Sequence, residues 1–392
     1  MFAIAVQDQL PHFRLDLEAL DRVADYVMEV MRVAYPDLQV PFHSRWRHFE
    51  AGGVNRVAQL EARLAGVDPL EKARAKFDLV IPSVLLDAGA GAAWQYQESQ
   101  TGKVFQRSEG LAVASFDLFL AGGFSSQADR PFQADADGLQ KLTEETLKNG
   151  FQVTADNPLV GVEGRLALMQ RLGATLARSP HLFGSTAPRL GHLVDYLVTQ
   201  AKPGDSSTRE LSATTVFTAV LEGLSEIWPG RVAIAQTNLG DVWPHSALPD
   251  QTLGGQLVPF HKLSQWLTYS LLEPLQDLGF ILTDLDQLTG LSEYRNGGLF
   301  LDLGVLHPKH PDILQTAHRP DSEIIVEWRA LTVILLDRTA AIIRKKLGMD
   351  GRSLPLAKVL EGGTWAAGRK IAAQLRPGGV PPIQIISDGT VF

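Results

Sequence analysis

This chain has no cysteine. That excludes disulfides, a thiolate nucleophile and any metal site built on sulfur. The H-E-x-x-H spacing of zinc helices is also missing, and His43 and His48 in "FHSRWRHFEAGG" do not replace it. No metal and no cofactor are expected. Positive charge is scarce: 36 Lys and Arg against 44 Asp and Glu leave a formal net charge of −8. Nucleic-acid binding normally leaves a basic footprint, so no nucleic-acid partner is expected. Long apolar runs are absent, none approaching the roughly 18–20 residues of a membrane span. The N-terminal "MFAIAVQDQLPHF" has no basic start and too short an apolar run for export. A cytoplasmic protein with no membrane contact is the expectation.

What is present suits a large globular core: 392 residues, 45% hydrophobic and 20% charged. Helical periodicity dominates. "LDLEALDRVADYVMEVMRVAYPD" carries Leu17, Leu20, Val23, Val27 and Val30 on one face and stops before Pro36. "NRVAQLEARLAGVDPLEKARAKFDLVI" predicts two helical pieces with a turn near Gly66. "NPLVGVEGRLALMQRLGATLARS" begins at a cap pattern, Asn157 followed by Pro158. "VPFHKLSQWLTYSLLEPLQDLG" and "DSEIIVEWRALTVILLDRTAAIIRKKLG" are the strongest helices, the second opening on Asp321 or Ser322 and closing on Gly348. Strand signals are few. "LVIPSVLL" contains a proline, which demotes it, and "PPIQIISDGTVF" is the best short strand. Loops fall at 124–137, 201–210 and 238–257, none with the composition of an interdomain linker. The residues predict a mainly α fold with a few short strands in one compact unit.

Several constellations could carry chemistry. "LSEYRNGGLFLDLG" sets Glu293, Arg295 and Asp302 among large apolar residues, where charge requires a partner or a job. On the helix over 259–276, Lys262, Trp266, Tyr269 and Glu273 share a face. That face suits a pocket wall, or a snorkelling lysine at the surface. Arg329 has the apolar neighbours Trp328, Leu331 and Val333, and Glu327 stands two residues before it. A guanidinium there can grip phosphate or carboxylate at two points, or form a buried pair with an acidic residue. In "LLDAGAGAAWQYQ", Asp87 precedes a Gly-x-Gly turn and Trp94, without a G-x-G-x-x-G pattern or a Walker lysine. Arg107, Ser108 and Glu109 lead into a small-residue helix whose free amides can receive an anion. "NLGDVWPHS" groups Asp241, Trp243 and His245 on an irregular segment. "LEGGTWAAGRKIA" places Glu361, Trp365 and Arg369 at helical i+4 intervals, with glycines that weaken a plain surface helix.

Over nearly its whole length the sequence resembles the uracil catabolism protein 4 family, a microbial and fungal family tied to an oxidative-type pathway. The resemblance rests on "PFHSRWRHFEAGG", "RSEGLAVASF", "NPLVGVEGR", "PFHKLSQWLTYSLLEPL", "LTGLSEYRNGGLFLDLGVL", "VEWRALTVILLDR" and "LEGGTWAAGRKIA". It implies breakdown of a ribosylurea species to urea. More distantly, the part from about Phe77 to Leu347 is similar to the queuosine-nucleotide N-glycosylase/hydrolase family, helical enzymes related to DNA glycosylases. The matching segments are "PFHKL" with Lys262 and its neighbour His261, "LSEYRN" with Glu293, Tyr294 and Arg295, and "VEWRA" with Glu327 and Arg329. Asp87 and Trp94 match that family's aspartate before an aromatic segment. Two departures matter: Glu stands where that family has Asp, and a double glycine replaces its proline–glutamine. They imply a leaving group other than the bulky deazaguanine.

The implied fold is a helical, DNA-glycosylase-like domain over 1–392, with a helical extension at 1–76, the core at 77–347 and a second extension at 348–392. The implied activity is hydrolysis of a ribosyl C–N bond in ribosylurea or its 5-phosphate. Glu293 would stabilise the oxocarbenium-like transition state, and Asp87, Asp241 or His245 would protonate the leaving group. Lys262 and Arg329 would hold a phosphate. Arg295, Trp94, Arg107, Glu109, Trp243, His245, His261, Glu327 and Asp302 complete the expected binding set. The expected partner is a small ribosyl substrate, and the oligomeric state is left open. The alternatives are a noncatalytic nucleotide-binding regulator, a phosphoribosyltransferase and, disfavoured by the acidic balance, a nucleic-acid glycosylase.

Overall fold

Apolar residues at helical spacing form the longest elements of the computed structural model, which describes residues 1–204, 208–228, 232–249 and 251–386. The stripe Leu20, Val23, Val27 and Val30 is buried in the helix Leu20–Ala34, entered through a short 3-10 turn at Leu17–Ala19. Arg56–Arg63 and Pro69–Leu85 follow, each with a side-chain cap: Asn55 accepts from the Ala58 N–H and Asp68 from the Leu70 N–H, both at 2.9 Å. Glu323–Leu347 starts after Ser322 and ends at Gly348 in the left-handed conformation. The mainly α expectation holds.

Several local expectations change, and the expected loop 201–210 holds the strand Lys202–Pro203 and the start of the strand Arg209–Ser212. "LVIPSVLL" lies in the helix Pro69–Leu85 and its C-cap, with Pro82 inside the helix. The segment is buried on nearly every side, so its continuous apolar run serves a core helix as well as a strand. Asn157 does not cap the next helix, which begins at Val162 after Gly161. Its side-chain amide instead accepts from the Gln95 N–H and donates to the Gln95 and Gln152 carbonyls. The loop 238–257 contains a strand, Val242–Pro244, that pairs antiparallel with Leu257–Pro259. At the C-terminus, Gln384–Ile385 pairs in parallel with Ala317–His318, while residues 387–392 of the expected strand lie outside the described residues.

Contacts group the chain into two units, neither continuous in sequence. The first comprises Met1–His43, Arg231–Gln265 and Leu285–Ser387. In it Glu323–Leu347 packs against Leu20–Ala34 and Tyr294–Asp302, and Tyr294–Asp302 packs against Trp365–Leu375. Strand Phe13–Leu15 pairs antiparallel with Leu306–Pro308. The second unit comprises Ser44–Gly230 and Trp266–Asp284. Its core gathers Pro69–Leu85, Arg107–Leu120 and Val162–Arg178, with a hairpin of Gln95–Gln97 and Val104–Gln106. Positions 77 and 348 both fall inside a unit. Among the described residues no helix is long and apolar enough to cross a membrane.

The glycine of "WAAGRKIA" has a packing reason. A Cβ on Gly368 would overlap the backbone carbonyl oxygen of Arg295 on the neighbouring helix. Gly368→Ala is therefore expected to destabilise the chain by about 1–3 kcal/mol, the scale of overpacking, although alanine is the better helix former. Denaturant midpoints check this; an unchanged or raised midpoint would show that the two helices separate without cost.

Candidate active site

In the first unit, side chains from three distant segments meet at one carboxylate. Asp241 immediately precedes the strand Val242–Pro244, Lys262 opens its helix, and Arg329 lies near the start of Glu323–Leu347. Arg329 Nη1 and Nη2 donate to the two Asp241 oxygens, both at 2.8 Å. Trp243 Nε1 donates to Oδ1 at 2.7 Å and the Lys262 backbone N–H to Oδ2 at 3.0 Å. Arg329 also donates from Nε to the Ser292 carbonyl at 3.3 Å and lies 3.9 Å over the Phe260 ring. Trp243, Phe260 and Val326 form an apolar cluster here. Burial pushes the Asp241 carboxyl up, but the charge and hydrogen bonds of Arg329, with those of Trp243 and the Lys262 N–H, hold it well below the ordinary range. Asp241 is thus an ionised clamp and no proton donor near neutrality. The Arg329 fork is filled by carboxylate, so it does not stand open to a phosphate.

The backbone bends sharply to make this hub. His261 is left-handed at φ 49°, a conformation that costs a non-glycine residue and is concentrated at functional sites. Its strain brings the first turn of the helix onto Asp241, whose carbonyl accepts from the Phe260 N–H at 2.9 Å. Burial and the Arg329 charge lower the imidazole of His261 below its ordinary value, against the opposing charge of Asp241.

Glu293 is the N-cap of Tyr294–Asp302: its carboxylate accepts from the Arg295 N–H at 2.9 Å and the Asn296 N–H at 2.7 Å. Burial pushes its carboxyl up. The two N–H bonds and the charges of Lys262 and Arg295 oppose that without cancelling it, so the group stays above the ordinary glutamate value. Two neighbours carry buried polar atoms without a hydrogen-bond partner: Ser292 Oγ and Asn296 Oδ1. Native structures seldom leave such atoms unpaired, and a ligand or water is the usual reason. Arg295 itself donates from Nη1 to the Gly379 carbonyl at 2.7 Å and stacks on the Tyr294 ring at 4.9 Å.

Other expected members do different work. Asp302 ends the same helix, roughly 13 Å from Glu293 at 1.5 Å rise per residue. It pairs fork to fork with Arg376 at 2.8 and 2.6 Å. Glu327 and His245 are both 0% exposed, with His245 Nε2 3.4 Å from a Glu327 oxygen. Glu327 also accepts the Phe13 and His12 N–H groups, at 2.7 and 3.2 Å, and so anchors the N-terminal strand. His245 Nδ1 accepts from the Ala247 N–H at 3.1 Å. Glu327 thus serves the N-terminal strand, while His245 Nε2 is buried beside it without a hydrogen-bond partner.

Asp87, Trp94, Arg107 and Glu109 belong to the second unit. Trp94 is a core residue, fully buried, with its indole N–H on the Phe151 carbonyl at 2.9 Å. Arg107 is exposed and left-handed at φ 55° where its helix begins. Asp87 Oδ2 accepts from Ser108 Oγ at 3.0 Å and pairs with Arg45 at 3.1 Å, and Glu109 acts on Arg45 through its charge. The reading of the sequence missed Arg45, Ser292, Asn296 and the stacking of Phe260. Only Arg45 carried a signal: like Arg329 it has large apolar neighbours, Trp46 and Phe49.

The family model described as "Protein of unknown function (DUF1688)" matches residues 1–392. Uracil catabolism protein 4 of Lachancea kluyveri is 41% identical over 409 residues, spanning 97% of this chain and 92% of the relative. Protein urg3 of Schizosaccharomyces pombe is 42% identical over 395 residues, spanning 99% and 94%. With the whole length matched and identity above two fifths, this chain belongs to the DUF1688 family, the family of Uracil catabolism protein 4.

Proposed function

We propose that this chain acts in uracil catabolism as a hydrolase of the ribosyl C–N bond in ribosylurea or its 5-phosphate. Its relatives' names support the pathway. The reaction rests on one observation: a carboxylate raised by burial, Glu293, at a helix start between residues with unpartnered buried oxygens. Water adds across the bond, its hydroxyl going to the anomeric carbon and a proton to the departing urea nitrogen. Glu293, ionised, stabilises the positive charge that builds on the sugar and accepts the proton of the attacking water. A carboxyl held above its ordinary value is the better base for that step. Asp241 and Arg329 fix the first turn of the Lys262 helix, and Lys262 is the cation that would meet a phosphate. Release of urea from ribosylurea by the purified chain, followed by mass spectrometry, tests the reading. Binding without release would make the chain a regulator, and release that requires pyrophosphate would make it a transferase.

Lys262→Ala carries two expectations. It should weaken the phosphorylated substrate by about 1.5–3 kcal/mol, the scale of a charge-assisted hydrogen bond, and leave the plain riboside nearly unchanged. Because the Lys262 charge pulls the Glu293 carboxyl down, its loss should move the acid limb of the rate profile to higher pH. In the unaltered chain that limb is expected above the ordinary glutamate value, because burial raises the Glu293 carboxyl, with activity lost as pH falls through it. Equal weakening of both substrates with an unmoved limb would separate Lys262 from both roles.

A further inference from the structure

The second unit holds a buried ion pair that is only half used. Arg45 is 0% exposed, and the Asp87 side chain is 6% exposed. Arg45 Nε donates to Ser83 Oγ at 2.8 Å, and Nη1 meets Asp87 Oδ2 at 3.1 Å and the Ser108 carbonyl at 3.3 Å. Arg45 Nη2 and Asp87 Oδ1 are both buried without a hydrogen-bond partner. One charged donor and one charged acceptor are thus left over from the same contact. An ion pair of this kind is normally fork to fork, as Arg329 and Asp241 are. Leaving both ends unmade costs the desolvation of each.

The surroundings hold this arrangement in place. The Arg45 backbone N–H donates to Ser270 Oγ at 2.9 Å, and its guanidinium lies 5.6 Å from the Trp266 ring and 6.0 Å from Phe49. The loop after Asp87 is wrapped on a second buried arginine. Arg165 donates to the carbonyls of Leu86, Ala88 and Gly89 at 3.1, 2.7 and 3.2 Å, and to that of Val160. The charges acting on one another here are Arg45 and Arg165 against Asp87 and Glu109, so they balance.

We propose that Arg45 and Asp87 form a recognition slot for a neutral amide- or urea-type group. A carbonyl oxygen would accept from Arg45 Nη2 and the adjoining N–H would donate to Asp87 Oδ1. A carboxylate would meet the Asp87 oxygen with like charge, and a guanidinium or ammonium would meet Arg45 in the same way. A neutral planar group with a carbonyl beside an N–H satisfies both atoms in one contact, and a bridging water is the alternative that the test separates from it. The slot consists of second-unit residues and is read by binding alone, so it stands apart from the hydrolase reading.

Saturation-transfer NMR on the full chain, with four probes at equal concentration, tests it. N-methylurea and acetamide should bind, while acetate and methylguanidinium should be weaker by roughly tenfold or more, the scale of one hydrogen bond to a charged group. Asp87→Asn adds a reversal. The asparagine amide NH₂ cannot face Arg45, so its oxygen takes the paired position and its nitrogen replaces Oδ1. Two donors then line the slot, and preference should shift from N-methylurea to acetate. No binding of either neutral probe to the unaltered chain would mean that the two atoms serve an ordered water only and would overturn the proposal. Equal binding of a charged probe, or a folded Asp87→Asn chain that still prefers N-methylurea, would overturn it too. If circular dichroism shows that Asp87→Asn does not fold, the four probes on the unaltered chain decide alone.

Discussion

Glu293→Gln is expected to bind substrate and turn it over slower by on the order of 10²–10³, or ~2.7–4 kcal/mol of barrier. The substitution keeps shape and one hydrogen-bond acceptor but removes the negative charge on which the transition state depends. The capping geometry makes this a demanding test, because Glu293 also holds two backbone N–H groups. A purely structural cap predicts the opposite pattern: a lower melting temperature with activity per folded molecule unchanged. Linkage sharpens the contrast. Burial raises the Glu293 carboxyl, so the folded chain holds that proton more tightly than the unfolded chain. Stability from this group is present below its unfolded value and declines as pH rises through the folded one, and at neutral pH the ionised form is a net cost. Gln removes that cost while weakening the cap, so the melting temperature should move by only ~2–4 °C or less. Single-turnover rate and melting curve on the same preparation decide between the two. A fully active, stable Gln chain would remove Glu293 from the mechanism.

Asp241→Asn is expected to give the largest loss of stability, about 3–5 kcal/mol, because Arg329 is then left as an uncompensated buried charge. In either orientation the amide also turns one acceptor into a donor that faces the guanidinium, together with either the Trp243 or the Lys262 N–H. Replacing both partners with apolar residues, as in Asp241→Leu with Arg329→Met, should cost less than Asp241→Asn alone. pH supplies the second check. The Asp241 carboxyl is depressed in the folded chain, so its contribution is complete above the ordinary aspartate value and is lost as pH falls through the lower folded one. The stability gap between the unaltered chain and Asp241→Asn should therefore be constant near neutrality and shrink only in strong acid. A gap already closing between pH 7 and pH 5 would assign the clamp to another group.

Local pattern was enough to identify the longest helices among the described residues. The stripe from Leu20 to Val30, the Gly66 break and the Gly348 stop each depend on neighbours within a few residues, and helix formation answers to such neighbours. The same local logic misplaced Asn157, whose side chain is taken by Gln95 some sixty residues away, and demoted "LVIPSVLL" because burial on all faces erases periodicity. For the site, sequence singled out Glu293 and Arg329 as charges in apolar company, Lys262 beside aromatics on one helix face, and Asp241 on an irregular segment. Only the tertiary structure assigned partners. It joined Asp241 to Arg329 across 88 positions, sent Asp302 to Arg376, set His245 beside Glu327 and left Asp87 half paired with Arg45. A buried charge announces in sequence that it needs a counterpart. Which counterpart it receives is set by where the helices cross, and that depends on packing among segments drawn from every part of the chain.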